Sequence, residues 1–230
     1  MKVKLRMRRI FLIAMAIFAM ILPIGAQQTF AFTSANTNAS GLSYHDGYIY
    51  VANFVDSKIS KISDDGTITD VINFNNGEPY SLDFDSEGNF YYTFAYIGYP
   101  IDKIYKISST DFSEGIGNPA EISTEVITGG VFLYGLAFHP ITGDFYFGDY
   151  VLKKLYTISK KDFNDFPIPV TSQKVHEIGT MPYSVSDIAF DSIGNLYFSY
   201  SSWITKVTAD DLADGHIDNP IHNYVITAEN

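Results

Sequence analysis

From Gly41 to the end of the chain, apolar and polar positions alternate over runs of five to seven residues, and each run stops at a Gly-bearing turn. Alternation with a period of two is the pattern of half-buried β-strands. The runs fall into four similar copies: GLSYHDGYIYVAN from Gly41, SLDFDSEGNFYYTF from Ser81, GLAFHPITGDFYFGD from Gly135 and DIAFDSIGNLYFSY from Asp187. Each copy has an apolar residue (Leu42, Leu82, Leu136, Ile188) and an aromatic two places later (Tyr44, Phe84, Phe138, Phe190). A turn follows, and then a tyrosine (Tyr50, Tyr91, Tyr146, Tyr197). A unit recurring every 40 to 54 residues predicts a repeat architecture.

Within a unit the pattern predicts four short antiparallel strands, a to d. In the first unit these are Ser40–Tyr44, Tyr48–Asn53, Lys58–Ser63 and Thr67–Phe74, with hairpin turns at His45-Asp46-Gly47 and Asp64-Asp65-Gly66. The third strand aligns across the units as Ile59–Ile62, Ile104–Ile107, Leu155–Ile158 and Ile204–Val207. In the last three units Ser108, Ser159 and Thr208 each precede an Asp by three places, with Phe112, Phe163 or Leu212 next. That spacing predicts a short helical turn opened by a capping box. Four-stranded antiparallel units repeated in this way make an all-β fold, a β-propeller. The blades are expected at about residues 39–76, 77–130, 131–181 and 182–230.

The string Gly135–Asp149 and its siblings resemble NHL-type repeats, and more broadly the superfamily that holds the regucalcin/gluconolactonase group and virginiamycin B lyase. The resemblance covers about residues 39–228 and is specific for architecture rather than activity. Propellers of that superfamily usually have six or seven blades, whereas four are visible here. The expectation is therefore a chain truncated from about six blades, with a closed four-blade ring, or an arc completed by self-association, as alternatives.

The first 26 residues read differently. Lys2, Lys4, Arg6, Arg8 and Arg9 precede the apolar run Ile10–Ile24, and Ile24-Gly25-Ala26 offers a cleavage site, the order of features in a signal peptide. The expectation is a secreted or cell-envelope protein with no membrane contact after cleavage. Residues 27–38 are small and polar, and read as a linker or a frayed first strand. Residues 1–26 hold five basic residues and no acid, so without them the net charge of −11 falls to about −16. Such a surface repels phosphate backbones, so nucleic acid is not an expected partner. The absence of cysteine excludes disulfides and thiol chemistry, and leaves stability to apolar packing, for which 18 Phe and 17 Tyr are available.

The resemblance implies that the d–a and b–c loops share the face where ligands bind. Asn53, Glu78, Tyr80, Tyr134, Asp149, Tyr150, Tyr183 and Tyr200 fall there and form the candidate ligand site, with Phe94, Tyr96, Ser186 and Trp203 beside them. Tyrosines with a few carboxylates suit a polar small molecule, a glycan or a peptide. His45 and His139 occupy the turn position held by Asp85 and Asp191, and are expected to bond the turn backbone. His176, His216 and His222 show no ligand spacing, so no catalytic residue is assigned. The gluconolactonase resemblance implies one divalent cation such as Ca2+. Gly77-Glu78-Pro79 resembles that group's Glu-Gly-Pro entrance and makes Glu78 a candidate ligand, whereas Ser186 stands where the group has an Asp and Asp187 is displaced by one. The reading is a secreted binding module without a cofactor. The alternatives are a metal-dependent lactone hydrolase or lyase using Glu78, Asp149 and Asn53, and a structural envelope repeat.

Overall fold

A computed structural model describes residues 39–75, 77–95, 101–114, 118–200, 203–215, 217 and 223–224. The signal-peptide segment, residues 27–38, Tyr96, His216, His222 and the end of the last strand d lie outside the described residues. Four antiparallel sheets follow one another along the chain, each in the order a-b-c-d. The first contains β1 (Ala39–His45), β2 (Tyr48–Asn53), β3 (Lys58–Ile62) and β4 (Ile68–Asn73). The second contains β5 (Glu78–Phe84), β6 (Phe90–Ala95) and β7 (Lys103–Ile107); α1 (Ser109–Glu114) and α2 (Pro119–Ile122) then lead to β8 (Thr124–Thr128). The third is β9 (Leu133–Phe138), β10 (Phe145–Asp149), β11 (Lys154–Ile158) and, after the short β12 (Ile168–Pro169), β13 (His176–Thr180). The fourth is β14 (Asp187–Phe190), β15 (Leu196–Tyr200), β16 (Trp203–Val207) and, beyond α3 (Ala209–Ala213), β17 (Asn223–Tyr224). Sheets of this form, with their first strands gathered around one axis, are the blades of a four-blade propeller.

The expected helical turns form for a local reason in two loops. Thr208 caps α3 with a reciprocal box to Asp211, and the Ser108 hydroxyl accepts from Asp111 N at 3.1 Å ahead of α1. The Ser159 copy stops at a hydrogen-bonded turn, because the loop leaves the blade there. It crosses to the second blade, where β12 pairs in parallel with the outermost strand β8. This crossing strand covers an exposed sheet edge and carries Phe163 and Phe166 into the core between blades two and three.

Blades pack through alternate side chains of their inner strands. Phe84 and Phe190 face the preceding blade, where His45 stacks on Phe84 at 4.1 Å and His139 meets Phe190 edge-on at 4.8 Å. At the first and third junctions the inner strand carries a glycine. A Cβ at Gly41 would lie 2.6 Å from Tyr80 O, and one at Gly135 would lie 3.0 Å from Ile188 N. At the second junction those positions are polar. The Ser81 hydroxyl accepts from Leu136 N at 3.2 Å, and Asp83 accepts from Phe138 N at 2.9 Å. The first and third junctions therefore pack a glycine against backbone, with Ser43 also bonding Asp83 across the first, whereas the second is joined by polar side chains that bond the next inner strand. The repeated tyrosines Tyr50, Tyr91, Tyr146 and Tyr197 are all buried. Tyr44 departs from its aligned partners, being 45 % exposed where Phe84 is 8 % exposed, because no described blade precedes the first. Among the described residues β1 packs on β5, β5 on β9 and β9 on β14, but β14 has no equivalent packing on β1.

Candidate functional site

At the end of the propeller formed by the b–c and d–a loops, aromatic rings form a row across three blades. Phe54 stacks on Tyr80 at 5.9 Å, Tyr80 on Tyr134 at 4.7 Å, and Tyr134 meets Tyr150 at 4.9 Å. Tyr80 and Tyr134 are the same position of their units, two residues before the apolar residue of strand a, so propeller geometry itself brings them together. The Tyr80 hydroxyl donates to Glu78 Oε2. Burial and that neighbouring carboxylate push the Tyr80 phenol well above its ordinary range, and burial also raises Tyr134. Four of the candidate residues, Glu78, Tyr80, Tyr134 and Tyr150, therefore belong to one cluster.

The others do not join it. Tyr183 and Tyr200 stack on each other at 4.0 Å with Trp203 nearly parallel at 6.5 Å, a separate aromatic group on the fourth blade. Asp149 is 1 % exposed. Its Oδ2 accepts from Val131 N and Phe132 N, and its Oδ1 from Val151 N and Leu152 N, at 2.8–3.2 Å. Its carboxylate thus ties the loop before β9 to the loop after β10, and its hydrogen-bonding capacity is spent there. Asn53 in blade one bonds within its own b–c loop, donating to the Asp56 carboxylate at 2.7 Å and accepting from Asp56 N at 3.1 Å. Both residues shape the loops. Among the described residues no group of three or more His, Asp or Glu side chains is placed to hold a metal ion.

His45 and His139 lie at the opposite end, in the a–b turns. His139 Nδ1 accepts from Ile141 N and Thr142 N at 3.3 and 3.1 Å, the task performed in blades two and four by Asp85 and Asp191. Burial lowers the affinity of His139 for a proton, as an acceptor role requires.

Between the two ends runs a cleft of about 840 Å3, lined by the inner strands of all four blades. It reaches Tyr134 and Tyr150 at one end and His139 at the other. Two carboxyl groups missed as site candidates lie at its waist. Asp83 Oδ1 accepts from the Ser43 hydroxyl at 2.7 Å, and Asp187 Oδ1 accepts from the Ser81 hydroxyl at 2.7 Å. Ser81 thereby links blades two, three and four. Removal from bulk water raises both acids, Asp187 to about 7, and the neighbouring Asp83 adds to the cost of ionising Asp187. The one-residue displacement of Asp187 predicts a side chain turned away from the channel; instead it sits at the position held by Gly41, Ser81 and Gly135 and lines the cleft.

No protein-family model matches the sequence, and no curated protein is similar to it. Solved structures do match. A luciferin-regenerating enzyme is 14% identical at a TM-score of 0.56, over 87% of this chain and 66% of that one. A chain of a nidogen/laminin complex is 16% identical at a TM-score of 0.55, over 76% and 62%. Virginiamycin B lyase from Staphylococcus aureus is 20% identical at 0.47, over 77% and 55%. The fold is that of a β-propeller. This chain spans between about half and two thirds of the length of each of these structures. Identities this low carry the architecture and not an activity.

Proposed function

We propose that this chain is an exported ligand-binding propeller that takes a polar small molecule, glycan or peptide at the mouth lined by Tyr80, Tyr134 and Tyr150. The observation that carries this reading is the aromatic row, whose Tyr134 and Tyr150 line one end of an 840 Å3 cleft and whose Tyr80 stacks on Tyr134 and bonds Glu78. A concave site with aromatic walls and a few oriented polar groups is the usual form of a ligand pocket. Mutual stacking covers the faces of Tyr80 and Tyr134, so the mouth offers ring edges and phenol hydroxyls, while Tyr150 is 38 % exposed. Screening soluble oligosaccharides and short peptides by calorimetry tests the reading. Tyr134→Ala should weaken any hit by roughly fivefold, since an aromatic contact contributes on the order of 1 kcal/mol, whereas His45→Ala should not. Equal weakening by both, or by His45→Ala alone, refutes the placement. Intact-mass analysis of exported protein should begin near Gln27 or Phe32; recovery of residue 1 in a membrane fraction refutes export with cleavage.

A further inference from the structure

Asp83 and Asp187 have only hydrogen-bond donors as described partners: a serine hydroxyl for each, with Phe138 N for Asp83. Carboxylates withdrawn from bulk water are ordinarily paired with a cation or held neutral. The described ion pairs lie elsewhere, at Lys58–Asp70, Lys103–Glu125, Lys154–Glu177 and Lys174–Asp165. Two lysines reach the same cleft. Lys106 Nζ lies over the Tyr91 and Phe166 rings at 5.5 and 5.9 Å, and the Lys160 stem packs beside Gly143. Neither is among the described partners of either acid.

The cleft is therefore a cavity with two partly buried acids on its wall and aromatic rings at its mouth. The spacing between these parts follows from one strand. Leu136 N bonds the Ser81 hydroxyl that in turn bonds Asp187, and Tyr134 stands two residues earlier on β9, roughly 7 Å along a strand. We infer that the ligand carries a protonated amine that enters the cleft to face Asp83 and Asp187, while an apolar or aromatic portion stays against Tyr134 and Tyr150. An arylalkylammonium ion has that reach. Among the described residues no third acid or histidine joins Asp83 and Asp187 in a group placed to hold a metal ion, whereas an ammonium needs about three acceptors. Because burial strengthens the hold of both acids on their protons, ammonium binding also displaces protons.

This inference rests on the binding reading above. The probes are phenethylamine and its neutral counterpart 2-phenylethanol, compared by saturation-transfer NMR on the purified chain at neutral pH. The amine should bind about tenfold tighter or better, the equivalent of ~1.4 kcal/mol. Asp187→Asn and Asp83→Asn should each remove that preference while the thermal melt shows a folded protein. Asp64→Asn, outside the cleft, should leave it unchanged and so excludes general attraction to an acidic surface. Equal binding of both probes, or a preference that survives both variants, overturns the inference while leaving a binding mouth intact. Failure of both probes alongside an oligosaccharide hit overturns it as well.

Discussion

Replacing Asp187 with Asn should change how stability depends on pH, and the structure gives the size of the change. In the unfolded chain an Asp titrates near 3.9; in the fold, burial raises Asp187 to about 7. The folded state thus prefers the protonated acid. Its contribution is full below about pH 4, is lost progressively as pH rises through 7, and is absent above about pH 8. A rise of about three pH units, at ~1.36 kcal/mol each, sets an upper figure of roughly 4 kcal/mol for the penalty at alkaline pH. Asn keeps the shape and an oxygen for the Ser81 hydroxyl, but carries no proton to lose. Urea melts of both proteins from about pH 4.5 to about pH 8.5 measure the difference directly. Near the acid end the two should be alike within about 1 kcal/mol, and the Asp187→Asn variant should become the more stable by about 2–4 kcal/mol at the alkaline end. Groups remote from Asp187 cancel in the comparison, whereas Asp83, which faces it, is eased by the substitution and adds to the difference in the same direction. Parallel curves would refute the reasoning, and would mean that Asp187 is ionised in the fold at no cost.

Other expectations follow from the blade junctions. Gly41→Ala drives a methyl to 2.6 Å from backbone at the first junction, so melts should show a loss of about 1–3 kcal/mol; Gly135→Ala, with neighbours at 3.0 Å and beyond, should lose less. Tyr91→Phe removes only the bond from its hydroxyl to Asp85 at 2.9 Å and should cost about 1 kcal/mol. Tyr91→Ala opens the core between blades two and three and should cost roughly 3–5 kcal/mol; a loss under about 1 kcal/mol would mean the residue is not packed as described. His139 accepts two backbone bonds only while neutral, and burial depresses its proton affinity. Its contribution should therefore be present above about pH 6.5 and fall away as acid protonates it. His139→Asn, which keeps an acceptor, should flatten that acid limb in the same melts.

The architecture was legible because each blade states it locally. Strand alternation, Asp-Gly and Gly-Asn turns, and a tyrosine at one register position in all four copies leave few other folds. Part of the aromatic cluster was legible for the same reason, since Tyr80 and Tyr134 share a repeat position and equivalent positions of neighbouring blades lie side by side. Asp149 and Asn53 were harder. A carboxylate or amide at a strand end beside an aromatic reads as a ligand contact, and only the positions of four backbone N–H groups reveal that Asp149 is occupied with its own loops.

Asp83 and Asp187 were obscured by a different cause: they depend on what the neighbouring blade puts opposite. The four copies are really two pairs. Blades one and three carry Gly before the apolar residue and His in the turn, while blades two and four carry Ser81 or Asp187 and an Asp turn. A glycine at that place lets the next inner strand approach to contact distance, and the histidine of the same blade covers the next blade's Phe84 or Phe190. A polar residue there cannot pack that way, so it must find hydrogen bonds in the channel, as Ser81 does with Leu136 N and Asp187. The alternation thus assigns different work to the junctions. The Gly–His junctions hold blades together by close packing, and the polar positions between them turn toward the axis. A carboxyl at such a position, as at Asp187, is held by the repeat itself where it lines the cleft. That is the arrangement from which a recognition group for a cationic ligand can be made without disturbing the packing that supports it.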